Sequence, residues 1–135
     1  MRFSVLWHAG GVEPHFDLLF ELPMRIDLAG WAMARSPELP GVAPIAPTAP
    51  HRATYLNYAG PVHPRTEGPR PRRLPSYVRR WDRGELRLFA QQNDLFRAGV
   101  TGRRLNGIIE MRRRGEDWEY RYVSAGRSCR VSPGG

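Results

Sequence analysis

The 135-residue chain predicts a mainly β domain, a small antiparallel β-barrel or curled sheet with little helix. Three observations predict it. Apolar and polar residues alternate at period two through several short runs. Glycine- and proline-rich punctuation separates those runs. No stretch carries a strong amphipathic helical pattern, and Gln91–Ala98 at most forms a short helical turn. The length fits one domain with a core of its own. That domain is expected over residues 1–124, with a flexible tail at 125–135.

The first run places Phe3, Val5 and Trp7 on one face and Ser4, Leu6 and His8 on the other. Gly10 and Gly11 then break the chain as a hairpin connection would. In the second run Phe16, Leu18, Phe20 and Leu22 share a face, and His15, Asp17, Leu19 and Glu21 share the opposite one. A third strand is expected over residues 25–34, centred on Leu28 and Trp31. The next segment, SPELPGVAPIAPTAP, has prolines at 37, 40, 44, 47 and 50. Proline donates no backbone hydrogen bond, so this segment predicts an extended surface loop rather than a ladder strand.

After the short run HRATYLNYAGPV comes a basic, proline-rich loop at 63–75, HPRTEGPRPRRLP, expected to be mobile when free. Asp82-Arg83-Gly84 predicts a turn between strands Tyr77–Trp81 and Glu85–Phe89. A last hairpin is expected between Ile108–Arg112 and Trp118–Val123, turning at Gly115. Trp7, Trp31, Trp81 and Trp118 are expected to pack in or against the core.

Composition removes several chemistries. Every one of the 21 basic residues is arginine, so no lysine nucleophile, Schiff base, phosphate-loop lysine or lysine adduct is available. A single cysteine, Cys129, excludes an internal disulfide framework and a cysteine-rich zinc module. No apolar run approaches the roughly 18 residues of a membrane span. The opening MRFSVLWHAGG is too short and polar for a signal peptide. A soluble, cytoplasmic monomer without a membrane partner is therefore expected.

The net charge of +8 is unevenly placed. Only Arg2, Arg25, Arg35 and Arg52 fall within the first 60 residues, where acids slightly outnumber them, so the excess lies in the second part of the chain. An arginine-rich half suits a polyanion such as nucleic acid. For Arg112-Arg113-Arg114, solvation of a hairpin end and contact with a phosphate backbone are both open readings.

His15 and Asp17, two apart on a strand, point the same way and suit two ligands of one ion. His8, across the hairpin, is placed to add a third. Two imidazoles and a carboxylate suit Mn²⁺, Zn²⁺ or Fe²⁺. His51, Arg52 and Tyr55 could together hold a phosphate, through a fork of donors, a charge and a hydroxyl. His63 reads as a solvated loop histidine.

The ordered series His8…His15-Phe16-Asp17, Leu28-Ala29-Gly30-Trp31-Ala32, Pro50-His51…Tyr55, Gly60-Pro61-Val62 and Trp81-Asp82-Arg83-Gly84 resembles a known family. The similarity is to the 3′-phosphoesterase domain of bacterial DNA ligase D, the end-joining ligase, and to its small stand-alone relatives. It spans about residues 2–123. The resemblance implies a small β-barrel with a crescent-shaped site. It also implies manganese-dependent removal of 3′-phosphates or 3′-terminal ribonucleotides from DNA ends during repair. Zn²⁺ is the alternative metal, and a separately encoded ligase or polymerase the implied partner.

By the same resemblance His8, His15 and Asp17 match metal positions, His51 the histidine at the scissile phosphate and Tyr55 a phosphate-contacting tyrosine. Glu21 falls in register with a family glutamate. Leu19 stands where the family typically has a phosphate-binding arginine, although stand-alone relatives often carry an aliphatic residue there. The spacing between the histidines is one residue longer than the family's, and the segment after the tyrosine lacks the family's glycines. Arg52, Arg70, Arg72 or Arg73 would then restore the missing charge. Without it, the same fold would be a non-catalytic module that binds metal or DNA ends.

Overall fold

A computed structural model describes residues 1–63 and 74–125. The expected tail, Cys129, most of the basic loop and Arg70, Arg72 and Arg73 lie outside the described residues. Alternation becomes nine strands: β1 (Arg2–Ala9), β2 (His15–Glu21), β3 (Leu28–Met33), β4 (Val42–His51), β5 (Gly60–Val62), β6 (Ser76–Gln92), β7 (Leu95–Gly102), β8 (Asn106–Arg114) and β9 (Asp117–Ser124). One short 3₁₀ helix, Ala53–Leu56, follows β4. All pairings are antiparallel, in the order β1-β2-β3-β4-β9-β8-β7-β6-β5. An additional β1–β6 ladder closes the sheet on itself, which leaves β5 outside the ring. The expected curled, mainly β architecture is the one observed.

The β1–β2 wall is apolar on both faces. Phe3, Val5, Phe16, Leu18 and Phe20 point into the barrel, where they meet Trp31, Leu86, Phe96, Ile109, Met111 and Tyr120. The opposite face carries a smaller cluster, Leu6, Leu19, Leu28, Leu56 and Val78, with Tyr55, Tyr58 and Val62 packed on it. This second cluster seats the 3₁₀ segment and β5 on the outside of the barrel wall. Arg80 Nη2 donates to the Asn57 carbonyl at 2.9 Å and Arg83 Nη1 to Asn57 Oδ1 at 3.3 Å, tying the end of that segment to β6. Trp31 is buried, while Trp7, Trp81 and Trp118 are partly buried against the main core, as expected.

Three local expectations are corrected. The proline-rich segment is not wholly a loop, because Val42–His51 is β4. Its first half ladders only with β9 and its second half only with β3, so each half has one open edge. Pro44 and Pro47 are accommodated because a missing N–H costs little on an unladdered side.

Asp82-Arg83-Gly84 is not a turn, and β6 runs unbroken through it. Its first part pairs with β1 and its later part with β7. The buried Asp82 carboxylate accepts from the backbone N–H groups of Arg83, Arg103, Arg104 and Leu105, at 2.8–3.1 Å. It therefore pins the β7–β8 connection rather than a local turn. Gly84 is required by close approach, since a Cβ there would lie 1.9 Å from the Thr101 carbonyl oxygen.

Finally, Gln91–Ala98 holds no helical turn. β6 and β7 meet across Asn93-Asp94 as a tight hairpin. The β8–β9 hairpin turns at Gly115, which has φ +66°, as expected.

Candidate metal centre

The hairpin of β1 and β2 builds the site. Gly10 and Gly11 adopt φ of +77° and +66°, conformations open to glycine, and return the chain so that His8 pairs with His15. Asp17, two residues on, shares their face. One ligand atom from each of His8, His15 and Asp17 lies within 4.8 Å of the others. His15 Nε2 is 3.0 Å from Asp17 Oδ1, and His8 Nδ1 is 3.4 Å from Asp17 Oδ2.

Each imidazole is held by its other nitrogen. His15 Nδ1 lies 2.7 Å from the Glu13 carbonyl oxygen, which can only accept, so Nδ1 carries the proton. In the neutral ring Nε2 is then a lone pair aimed at a carboxylate. Two electron-rich atoms at 3.0 Å repel unless a positive charge lies between them, either a second proton on the ring or a metal ion. His8 Nε2 is 2.7 Å from the buried Ser76 Oγ. These outer bonds are of the kind that orient metal-binding histidines. Two imidazoles and a carboxylate facing one point could thus hold a borderline divalent cation.

Burial pushes the Asp17 carboxyl up, but hydrogen bonds to His15 and His8 outweigh it and hold the group down at about 2. A depressed carboxylate stabilises the fold above its ordinary value of 3.8, and that contribution is lost as pH falls through about 2. The shift corresponds to about 2 kcal/mol. In metal-free protein, wild type is therefore expected to lose about 2 kcal/mol more than Asp17→Asn between pH 4 and pH 2. Denaturant titrations at each pH check this; parallel curves would contradict it.

A pocket of about 560 Å³ opens on His8, His15 and Asp17. His51, Arg52, Tyr55, Thr48 and His63 line it as well. His51, Arg52 and Tyr55, the candidate phosphate residues within the described chain, therefore meet the candidate metal residues in one cavity. Gly30 makes room for this: a Cβ there would come within 2.4 Å of Thr48 Oγ1 and 2.9 Å of His51 Nδ1. His51 Nδ1 is buried with no hydrogen-bond partner among the described residues. Burial also lowers the pKa of His51, despite the opposing pull of Asp17. Tyr55 stands edge-on to His51, with ring centroids 5.9 Å apart. Among the described lining residues, Arg52 is the one arginine.

Leu19 faces the same side as Asp17 but is fully buried in the second apolar cluster. Glu21 is drawn away into a bidentate pair with Arg2. His63 is exposed, as expected, yet lies at the pocket wall. In the arginine run, Arg112 pairs with Glu110, Arg114 with Glu119, and Arg113 donates to the Gly115 carbonyl, so the run braces its own hairpin. Ser76 and the Glu13 carbonyl were not legible as site groups, because neither carries a local signal. Compared with known proteins, the chain matches no family model and no curated protein.

Proposed function

We propose that the protein is a divalent-metal-dependent phosphoesterase acting on nucleic-acid 3′ ends. It would remove a 3′-phosphate or a 3′-terminal ribonucleotide during DNA repair, with manganese as the metal. One observation carries the metal half of this reading: His8, His15 and Asp17 each bring one ligand atom within 4.8 Å of the others. The phosphate half is supported by His51, Arg52 and Tyr55 in the same pocket. The nucleic-acid half is supported by the net charge of +8 and by the family resemblance.

A divalent ion held by His8, His15 and Asp17 would supply Lewis acidity toward a phosphate oxygen. The remaining work falls to side chains. His51, whose pKa burial lowers, acts as a proton acceptor or an N–H donor toward the phosphate. The fixed positive charge comes from Arg52, exposed at the head of the 3₁₀ segment. The Tyr55 hydroxyl can donate to a phosphate oxygen.

His51→Ala is expected to lower manganese-dependent phosphate release from a 3′-phosphorylated primer–template by about 10²-fold while leaving metal affinity unchanged. Kinetics beside a manganese titration measure both. Unchanged turnover in the variant would remove His51 from the reaction. A wild-type protein that binds manganese and DNA ends without turnover would instead be the non-catalytic module.

A further inference from the structure

Ser76 is the first residue of β6, and its neighbours on the strand are fixed to the site wall. Tyr77 pairs with Ala9 and Val78 with His8, while Ser76 itself pairs with Val62 of β5. From that position its hydroxyl reaches His8 Nε2 at 2.7 Å, across 68 residues of sequence. Both residues are buried, with Ser76 5% and His8 6% exposed. A hydrogen bond in so dry a place is not exchanged for water at little cost.

The connectivity admits two readings. Hydroxyl on Nε2, imidazole, then carboxylate on Nδ1 is the order of a Ser–His–Asp triad, in which the serine attacks substrate. The placement opposes that reading. Among the described residues lining the pocket, His8 appears and Ser76 does not. The serine stands behind the ring, and Asp17 is shared with a second histidine. A nucleophile must face the substrate, whereas a hydroxyl that orients a ligand must not.

We infer that Ser76 is a positioning residue of the metal centre, holding the His8 ring by Nε2 so that Nδ1 faces the ion. This rests on the metal reading of His8, His15 and Asp17. It extends that reading to a residue outside the ligand set. Once an ion takes Nδ1, the ring's remaining proton sits on Nε2, and the hydroxyl is placed to accept it. It also fixes the ring's rotation against β6. Without it the ring can turn, and Nδ1 is no longer aimed at the ion. His15 is held in turn by the Glu13 carbonyl, so the two imidazoles are set by independent anchors, one on β6 and one in the β1–β2 connection.

The test is a manganese titration, read by the loss of the free-ion paramagnetic resonance signal, on wild type, Ser76→Ala and Ser76→Thr. Ser76→Ala is expected to weaken manganese binding about 10–100-fold. Ser76→Thr keeps the hydroxyl and is expected to stay within about threefold of wild type. Equal affinity in wild type and Ser76→Ala would overturn the inference, as would an equal loss in both variants. Wild type that binds no manganese or zinc removes the metal reading and this role with it.

Nitrogen-15 spectra of the wild-type zinc form provide a readout that needs no variant. His8 is expected as the Nε2–H tautomer with Nδ1 metallated; metallation at Nε2 would overturn the inference. Covalent labelling of the wild type by a fluorophosphonate, lost in Ser76→Ala, would establish the nucleophile reading instead.

Discussion

Replacing His15 or Asp17 with alanine is expected to abolish manganese binding and phosphoesterase activity together, while the barrel stays folded. The three ligands converge within 4.8 Å, and no fourth carboxylate or imidazole belongs to that group among the described residues. Losing an outer partner of a metal ligand typically costs about 10–100-fold in affinity, so losing a direct ligand should cost more than about 100-fold. The fold should survive because the main core lies on the opposite face of β1 and β2. Phe16 and Leu18 stay packed in it when Asp17, between them, is cut back. Circular dichroism, a manganese titration and a 3′-end assay on the same preparations check all three points. Residual activity equal to wild type would place the chemistry elsewhere.

Leu19→Arg, which installs the charge that the family resemblance leads one to expect, should damage the protein rather than improve it. Leu19 is fully buried among Leu6, Leu28, Leu56 and Val78, and an unpaired guanidinium there would cost about 4 kcal/mol or more. The damage would reach the site through a defined route. Leu56 packs on the same cluster and belongs to the 3₁₀ segment that carries Tyr55 and follows Arg52. Leu19 is thus part of the floor that seats the phosphate-side residues. Leu19→Ala should cost about 2–4 kcal/mol by the cavity alone, leaving the metal ligands in place. Denaturant unfolding separates the cases. A Leu19→Arg variant with wild-type stability and faster turnover would show that an arginine can snorkel from this position into the pocket.

The convergence of His8, His15 and Asp17 was legible because its geometry is local. Period-two alternation and the Gly10-Gly11 break place His8 opposite His15, and i, i+2 spacing adds Asp17. The β8–β9 hairpin was legible for the same reason. The features that were misread depend on distant partners. Prolines at 44 and 47 argue against a ladder until β4 is seen to change neighbours midway. Asp82-Arg83-Gly84 has turn chemistry, but the partners of Asp82 are amides about twenty residues on, and Gly84 answers to Thr101. Leu19 looked like a gap in the site because alternation gives its face and not its depth. Ser76 had no local signal at all, since its role exists only once β6 closes the barrel against β1.

The most direct measurement is anomalous diffraction at the manganese edge from crystals soaked in manganese. The metal reading expects a single strong peak about 2.0–2.3 Å from His8 Nδ1, His15 Nε2 and an Asp17 oxygen. No peak at that point, with the ion absent or bound elsewhere, would contradict it.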